Sequence, residues 1–339
     1  MSKRAAKKTS TASTAASRSR GKKKKGIDST AVLIVVAAAL VVVIAVIAIG
    51  VGCNGKKEGT ANTTKSSDDL NVEVETNEEG ETVDSANTAV EVARQDLVNT
   101  DQIQIEITGI DANNTAGFTI NLDIKNKSDV AYVVAAKYAI VEGLNIDPKW
   151  SSEVAGGQTK ESSITFYKSD YAAYGIGFTD IQLILSVVES SDTASQILQQ
   201  AVRIYPYGQG AAKLYTRTTG KTDVVLADND AYRMTFIGFE KDDVWGYTAK
   251  VYIENKSTTN LWIAASDVTV NGKELDPYFG IAAPASSATY ASICWTNEQL
   301  SEASIEEITE IAMHMRATNY DDWEAAAIAE DDITIRPES

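Results

Sequence analysis

From Ile105 the chain repeats itself. Residues 105–176 align with residues 234–305 at a constant spacing of 129, without a gap, and 16 of the 72 pairs are identical. The identities include Gly109/Gly238, Gly117/Gly246, the triplets Asn126-Lys127-Ser128 and Asn255-Lys256-Ser257, Gly143/Gly272, and the steps Asp147-Pro148 and Asp276-Pro277. Beyond that stretch the spacing slips to 130 and then 131, ending with Ile204-Tyr205-Pro206 against Ile335-Arg336-Pro337. A register held over this length marks a duplication, so the fold is one that a single module of roughly 100 residues can make, and make twice.

Within each copy the hydrophobic period is two. Ile103, Ile105 and Ile107 alternate with Gln104 and Glu106; Phe118, Ile120, Leu122 and Ile124 alternate with Thr119, Asn121 and Asp123; Tyr247, Ala249, Val251 and Ile253 alternate with Thr248, Lys250 and Tyr252. That pattern predicts strands with one dry face. Further strands are expected at 131–141, 162–166, 181–188 and 201–205, each with a counterpart in the second copy. Asn271-Gly272 reads as a two-residue hairpin turn, since both positions must tolerate positive φ. Asn-Lys-Ser supplies turn residues between two strands in both copies. Helical turns are expected at 169–175 and 297–304, at 193–200 and 322–329, and over 89–97. About seven short strands per hundred residues point to an antiparallel β-sandwich.

The order of strand, Asn-Lys-Ser, strand, Asn-Gly-x-x-x-Asp-Pro-aromatic, Ser/Ala-rich strand, acidic helical turn and Ile-containing strand resembles uncharacterised immunoglobulin-like modules of exported or membrane-anchored bacterial proteins. Residues 271–279, Asn-Gly-Lys-Glu-Leu-Asp-Pro-Tyr-Phe, carry the resemblance best; the first copy departs from it with Glu142 in place of Asn. The likeness covers about 230 residues. It implies an extracytoplasmic Ig-like fold and no particular activity.

Ahead of the repeat the chain changes character. Residues 1–30 hold ten Lys/Arg against one acid, so the rest of a chain of net charge −16 carries −25. Residues 31–50 contain no charge, and a helix of that length spans a hydrocarbon core of about 30 Å. With Lys22–Lys25 just before the span and only scattered lysines after it, the positive-inside rule keeps the N-terminus cytoplasmic and exports the remainder. A lipoprotein signal ending at Gly52-Cys53 is the competing reading, in which Cys53 takes the lipid; Gly50 fits that signal poorly. From Asn54 to about Thr100 the composition is that of a flexible acidic stalk, too poor in apolar surface to repay its ordering entropy.

Composition narrows the chemistry. One His (His314) and two Cys (Cys53, Cys294) leave no material for a His-based triad, a multi-His metal site or a disulfide scaffold. Asp147 and Asp276 read as duplicated turn residues, and the acidic clusters at 228–230, 242–243, 321–322 and 330–332 lack calcium-loop spacing. Trp295 and Trp262 fall on strands and read as packing residues, whereas Trp150, Trp245 and Trp323 fall near turns and are the candidate ligand-contact aromatics. His314 alternates with apolar neighbours and reads as a solvent-face residue. The sequons at Asn62, Asn113, Asn126 and Asn255 matter only in a eukaryotic secretory pathway. No cofactor, metal or catalytic residue is expected, and the −25 charge repels nucleic acid.

These readings assemble into an all-β protein: a basic cytoplasmic tail (1–30), a transmembrane signal anchor (31–51), a disordered acidic stalk (52–100), an Ig-like antiparallel β-sandwich (101–208), a linker (209–222) and a second sandwich (223–339). The expected protein sits in the plasma membrane through its lipid-contacting tail and anchor. Its two outer modules bind or sense an extracellular protein or glycan without catalysis, through strand edges or turn tips. A structural envelope subunit anchored at Cys53, and an extracytoplasmic hydrolase with paired carboxylates, are the alternatives.

Overall fold

The computed structural model describes residues 94–242, 246–322 and 325–337. The basic tail, the apolar segment 31–51, Cys53, the stalk up to residue 93, Trp245 and Trp323 lie outside the described residues. Among the described residues no helix is long and apolar enough to cross a membrane.

The first module runs β1 (Gln95–Asn99), β2 (Ile103–Asp111), β3 (Gly117–Asn126), β4 (Tyr132–Val141), β5 (Leu144–Asn145), β6 (Ser151–Val154), β7 (Thr159–Tyr167), a helical turn α1 (Lys168–Tyr171), β8 (Ile181–Glu189) and β9 (Asp192–Ile204). The second runs β10 (Val224–Asp228), β11 (Tyr232–Asp242), β12 (Gly246–Asn255), β13 (Leu261–Val270), β14 (Lys273–Glu274), β15 (Gly280–Ala283), β16 (Ala288–Trp295), α2 (Asn297–Glu302), β17 (Ile311–Asn319) and β18 (Ala329–Ile335). The sequence spacing is reproduced strand by strand: starting residues differ by 129 from β1/β10 through β7/β16 and by 130 at β8/β17.

In the first module the sheet β1-β2-β3-β7 faces the sheet β5-β4-β8-β9, with β6 paired to β4; in the second, β10-β11-β12-β16 faces β14-β13-β17-β18, with β15 paired to β13. Each pair of sheets closes on its own apolar core. Ile105, Ile120, Ile124, Val134, Phe166 and Leu183 lie in the first, and Met234, Val251, Ile263, Trp295 and Met315 in the second. All eleven are fully shielded from water, and each large aliphatic or aromatic side chain so placed contributes about 1.5–3 kcal/mol.

Duplicated local devices hold the strands in register. Asn126 and Asn255 are buried, and each amide donates to two carbonyls, of Val130 and Val154 in one copy and of Thr259 and Ala283 in the other, at 2.8–3.0 Å. Each also accepts from the backbone and hydroxyl of the following serine, Ser128 or Ser257. At the next turn Asn271 and Gly272 adopt φ of 51° and 76° between β13 and β14, the hairpin the sequence predicts. Glu142 and Gly143 do the same between β4 and β5, at 53° and 86°. The replacement of Asn by Glu is functionally equivalent here. One Glu142 carboxylate oxygen accepts from the backbone of Gly177 and from the backbone and hydroxyl of Thr179. The Asn271 carbonyl likewise accepts from Thr309 and Glu310.

Three expectations are corrected; the helical turn expected at 322–329 does not form among its described residues, where Ala329 already opens β18. Residues 95–99, read as stalk with a short helix, form β1 against β2, because Leu97 and Val98 are buried by the sandwich. Residues 193–200, read as a helical turn, lie within β9, where pairing with β8 overrides their helical composition. The helical turns after β7 and β16 form as expected, the second with a capping box between Thr296 and Gln299.

The modules are joined edge to edge. Ala288 at the start of β16 pairs in parallel with Leu144 of β5, its N–H donating to the Gly143 carbonyl at 2.9 Å, so one nine-stranded sheet runs through both modules.

Candidate binding surface

The edge pairing is short, and the weight of the joint falls on side chains beside it. Tyr290, on the outer face of β16, stacks on Tyr174 of the first module with ring centroids 4.3 Å apart. It shares a 2.7 Å hydroxyl contact with Tyr215 of the connecting segment and packs 4.9 Å from Tyr252 of β12. Burial and the Tyr215 hydroxyl push the Tyr290 phenol far above its usual value, and burial pushes Tyr252 up to about 12, so both rings are neutral at any physiological pH. On the other flank Tyr138 meets Asn260 and the edge of Tyr320 at 6.1 Å, and Lys137 lies 2.5 Å from Asp321. Asn145 donates to the Ala282 carbonyl at 3.3 Å.

The segment between the modules is a strap rather than a free tether. Its Tyr215 N–H donates to the Glu142 carbonyl at 2.6 Å and its Lys213 N–H to the Thr179 hydroxyl. It then crosses the outer face of the second module's sheet: Tyr215 over Tyr290 of β16, Arg217 at 5.3 Å over the Tyr252 ring of β12, and the Thr222 hydroxyl toward the Ile237 carbonyl of β11. Arg217 forms a two-pronged ion pair with Asp223, at 2.6 and 2.8 Å, which holds the Asp223 carboxyl below the usual carboxylate range.

Among the described residues nothing crosses the corresponding face of the first module. A groove of about 420 Å³ is lined by Arg94, Thr108, Asn121, Leu122, Asp123, Glu161, Ser162 and Ser163. Arg94 sits 3.2 Å from Glu106 and 3.8 Å from Asp123, and Ser163 donates to Asn121 at 3.0 Å. This groove lies on a sheet face, not at a strand edge or turn tip.

The sequence-nominated residues are dispersed. Trp150 is half-buried against the first core and donates its indole N–H to Ser162 at 3.1 Å; Trp245 and Trp323 lie outside the described residues. Trp295 is fully buried and bonded to the Leu275 carbonyl; Trp262 packs on Tyr320. Asp147 accepts from the Lys149 N–H in its turn, and burial raises its carboxyl above the ordinary value. Asp228 pairs with Lys256, and Asp331 accepts from Tyr232 and Asn229. His314 faces Asp332 across β17–β18 at 2.8 Å. Cys294 is buried beneath Tyr278 and accepts from Thr248, at the position where the first copy pairs Thr119 with Thr165. The sequon asparagines Asn126 and Asn255 have their amides committed inside the fold. No group of three His, Cys, Asp or Glu that could hold a metal ion occurs among the described residues.

No family model and no curated protein matches the chain. Among solved structures it is similar to the YadV chaperone, at 14% identity over 70% of this chain and all of that one, with a TM-score of 0.22. It is also similar to red sea bream transglutaminase (11%, 71% of this chain and 32% of that one, 0.20) and to the Salmonella enterica SafA pilin in complex with the SafB chaperone (9%, 70% and 98%, 0.17). Likenesses at these scores bear on neither activity nor partners.

Proposed function

We propose that the chain is a single-pass membrane protein that presents two Ig-like modules outside the cell as one rigid, non-catalytic binding body. The observation that carries this reading is the joint. A binding surface is tighter when its parts are held in place beforehand, because less freedom is lost on association. Here the strap, the aromatic stack and the shared sheet fix one module on the other. The charge step between the basic first 30 residues and the acidic remainder, on either side of the uncharged segment 31–50, supplies the orientation.

Two experiments test it. Protease applied to intact cells should remove residues 94–339 while leaving a membrane-associated N-terminal fragment; complete protection contradicts the orientation. Crosslinking on intact cells that express the tagged full chain should capture a defined protein or glycan-bearing partner; recovery of the full chain alone contradicts a binding role.

A further inference from the structure

The duplication places in one chain a surface that is covered in the second module and, among the described residues, uncovered in the first. The strap in front of β10 crosses β16, β12 and β11 through Tyr290, Tyr252 and Ile237. At a spacing of 129 these positions are Glu161, Asp123 and Thr108, and Asp223, where the strap ends, is Arg94. All four first-module residues line the groove. The groove is therefore the path of an extended segment, seen filled in the second module.

We infer that the first-module groove receives an extended peptide from a protein partner, bearing two cations two residues apart, Lys/Arg-x-Lys/Arg. This inference rests on the binding role proposed above and names its site. The spacing follows from the filled copy. Tyr215 and Arg217 are two residues apart, share one face of the strap, and meet Tyr290 and Tyr252. In the first module both of those positions are carboxylates, so the matching side chains are cationic. Arg94 is the cation that lines the groove, and it is already engaged by Glu106 and Asp123; Glu161 on β7 has no ion pair with it. Lys125 stands one pleat further along β3, beyond the lining. The chain's own upstream residues 85–93 carry an acid, Glu91, and no cation, so charge disfavours them as the occupant.

The test uses the full chain in detergent micelles and a fluorescent peptide alternating Lys and Thr, seven residues long. Binding should weaken about tenfold when two or three ion pairs are lost, which is the result expected for the double variant Asp123→Asn/Glu161→Gln. It should weaken comparably for a peptide of the same composition with its lysines adjacent. A Glu/Thr peptide should not bind. Equal binding by the two lysine spacings, or no loss in the double variant, shows general attraction to an acidic surface and overturns the inference. Tighter binding once residues 85–93 are deleted shows that the chain fills its own groove, which also overturns it. If cells yield a partner that the double variant still captures, the groove assignment fails and the binding role stands; if no partner is captured at all, the binding role itself fails.

Discussion

Asn126 and Asn255 are the residues on which each module most depends for its polar accounting. Each satisfies a buried carbonyl, of Val154 or Ala283, and a second one, of Val130 or Thr259, that the Ser128 or Ser257 hydroxyl also reaches, so Asn126→Ala or Asn255→Ala leaves one buried acceptor unpaired, a cost of about 1–3 kcal/mol. Chemical denaturation of the variants should show that loss in either copy. His314 makes a smaller and pH-dependent contribution. Its bond to Asp332 raises the imidazole above the ordinary 6.5, with Glu330 and Asp267 adding to the effect. Because the folded value exceeds the unfolded one, the stabilisation is fully present below about pH 6.5 and is lost as pH rises through the folded value. A titration followed by NMR should find His314 above 6.5 and moving down in Asp332→Asn; an unchanged titration would show that the carboxylate does not govern it.

At the level of strands, the closest backbone approaches occur where β3 and β12 begin. A methyl group on Gly117 would lie 1.8 Å from the Phe166 carbonyl oxygen, and one on Gly246 2.2 Å from that of Trp295, with Gly246 also at a φ of 88°. Gly117→Ala and Gly246→Ala should each cost at least about 2 kcal/mol and lower the melting temperature of the affected module; a neutral outcome would mean that these strands are not seated against β7 and β16. Most of this layer was legible from the repeat and the period of two, because a strand with one dry face writes its orientation into alternate residues. Residues 95–99 and 192–204 were less so. Gln95–Asn99 has only Leu97 and Val98 to mark it, and in β9 the register shifts opposite Val187–Glu189 break the alternation that would have revealed a strand. The joint left a trace that self-alignment contains but similarity scoring discards. Tyr252, Tyr290 and Tyr320 stand where the first copy has Asp123, Glu161 and Ser190, so the positions where the copies disagree mark the surface that only one of them buries.

For the whole molecule, those disagreements decide that the joint is used once. The outer face of β7 presents Glu161 where β16 presents Tyr290, which keeps a third module from stacking on the first by the same contact. The modules should accordingly unfold as one cooperative unit. Tyr290→Ala, which removes both the stack on Tyr174 and the hydroxyl contact with Tyr215, should split calorimetric unfolding into two transitions; a single unshifted transition would mean that the tyrosines do not couple the modules. The most direct test is the distribution of distances between the modules. Spin labels at Gln200→Cys and Glu302→Cys, in the full chain with Cys53→Ser and Cys294→Thr, should give one narrow distribution by double electron–electron resonance. A broad or multi-peaked distribution would contradict a single rigid body.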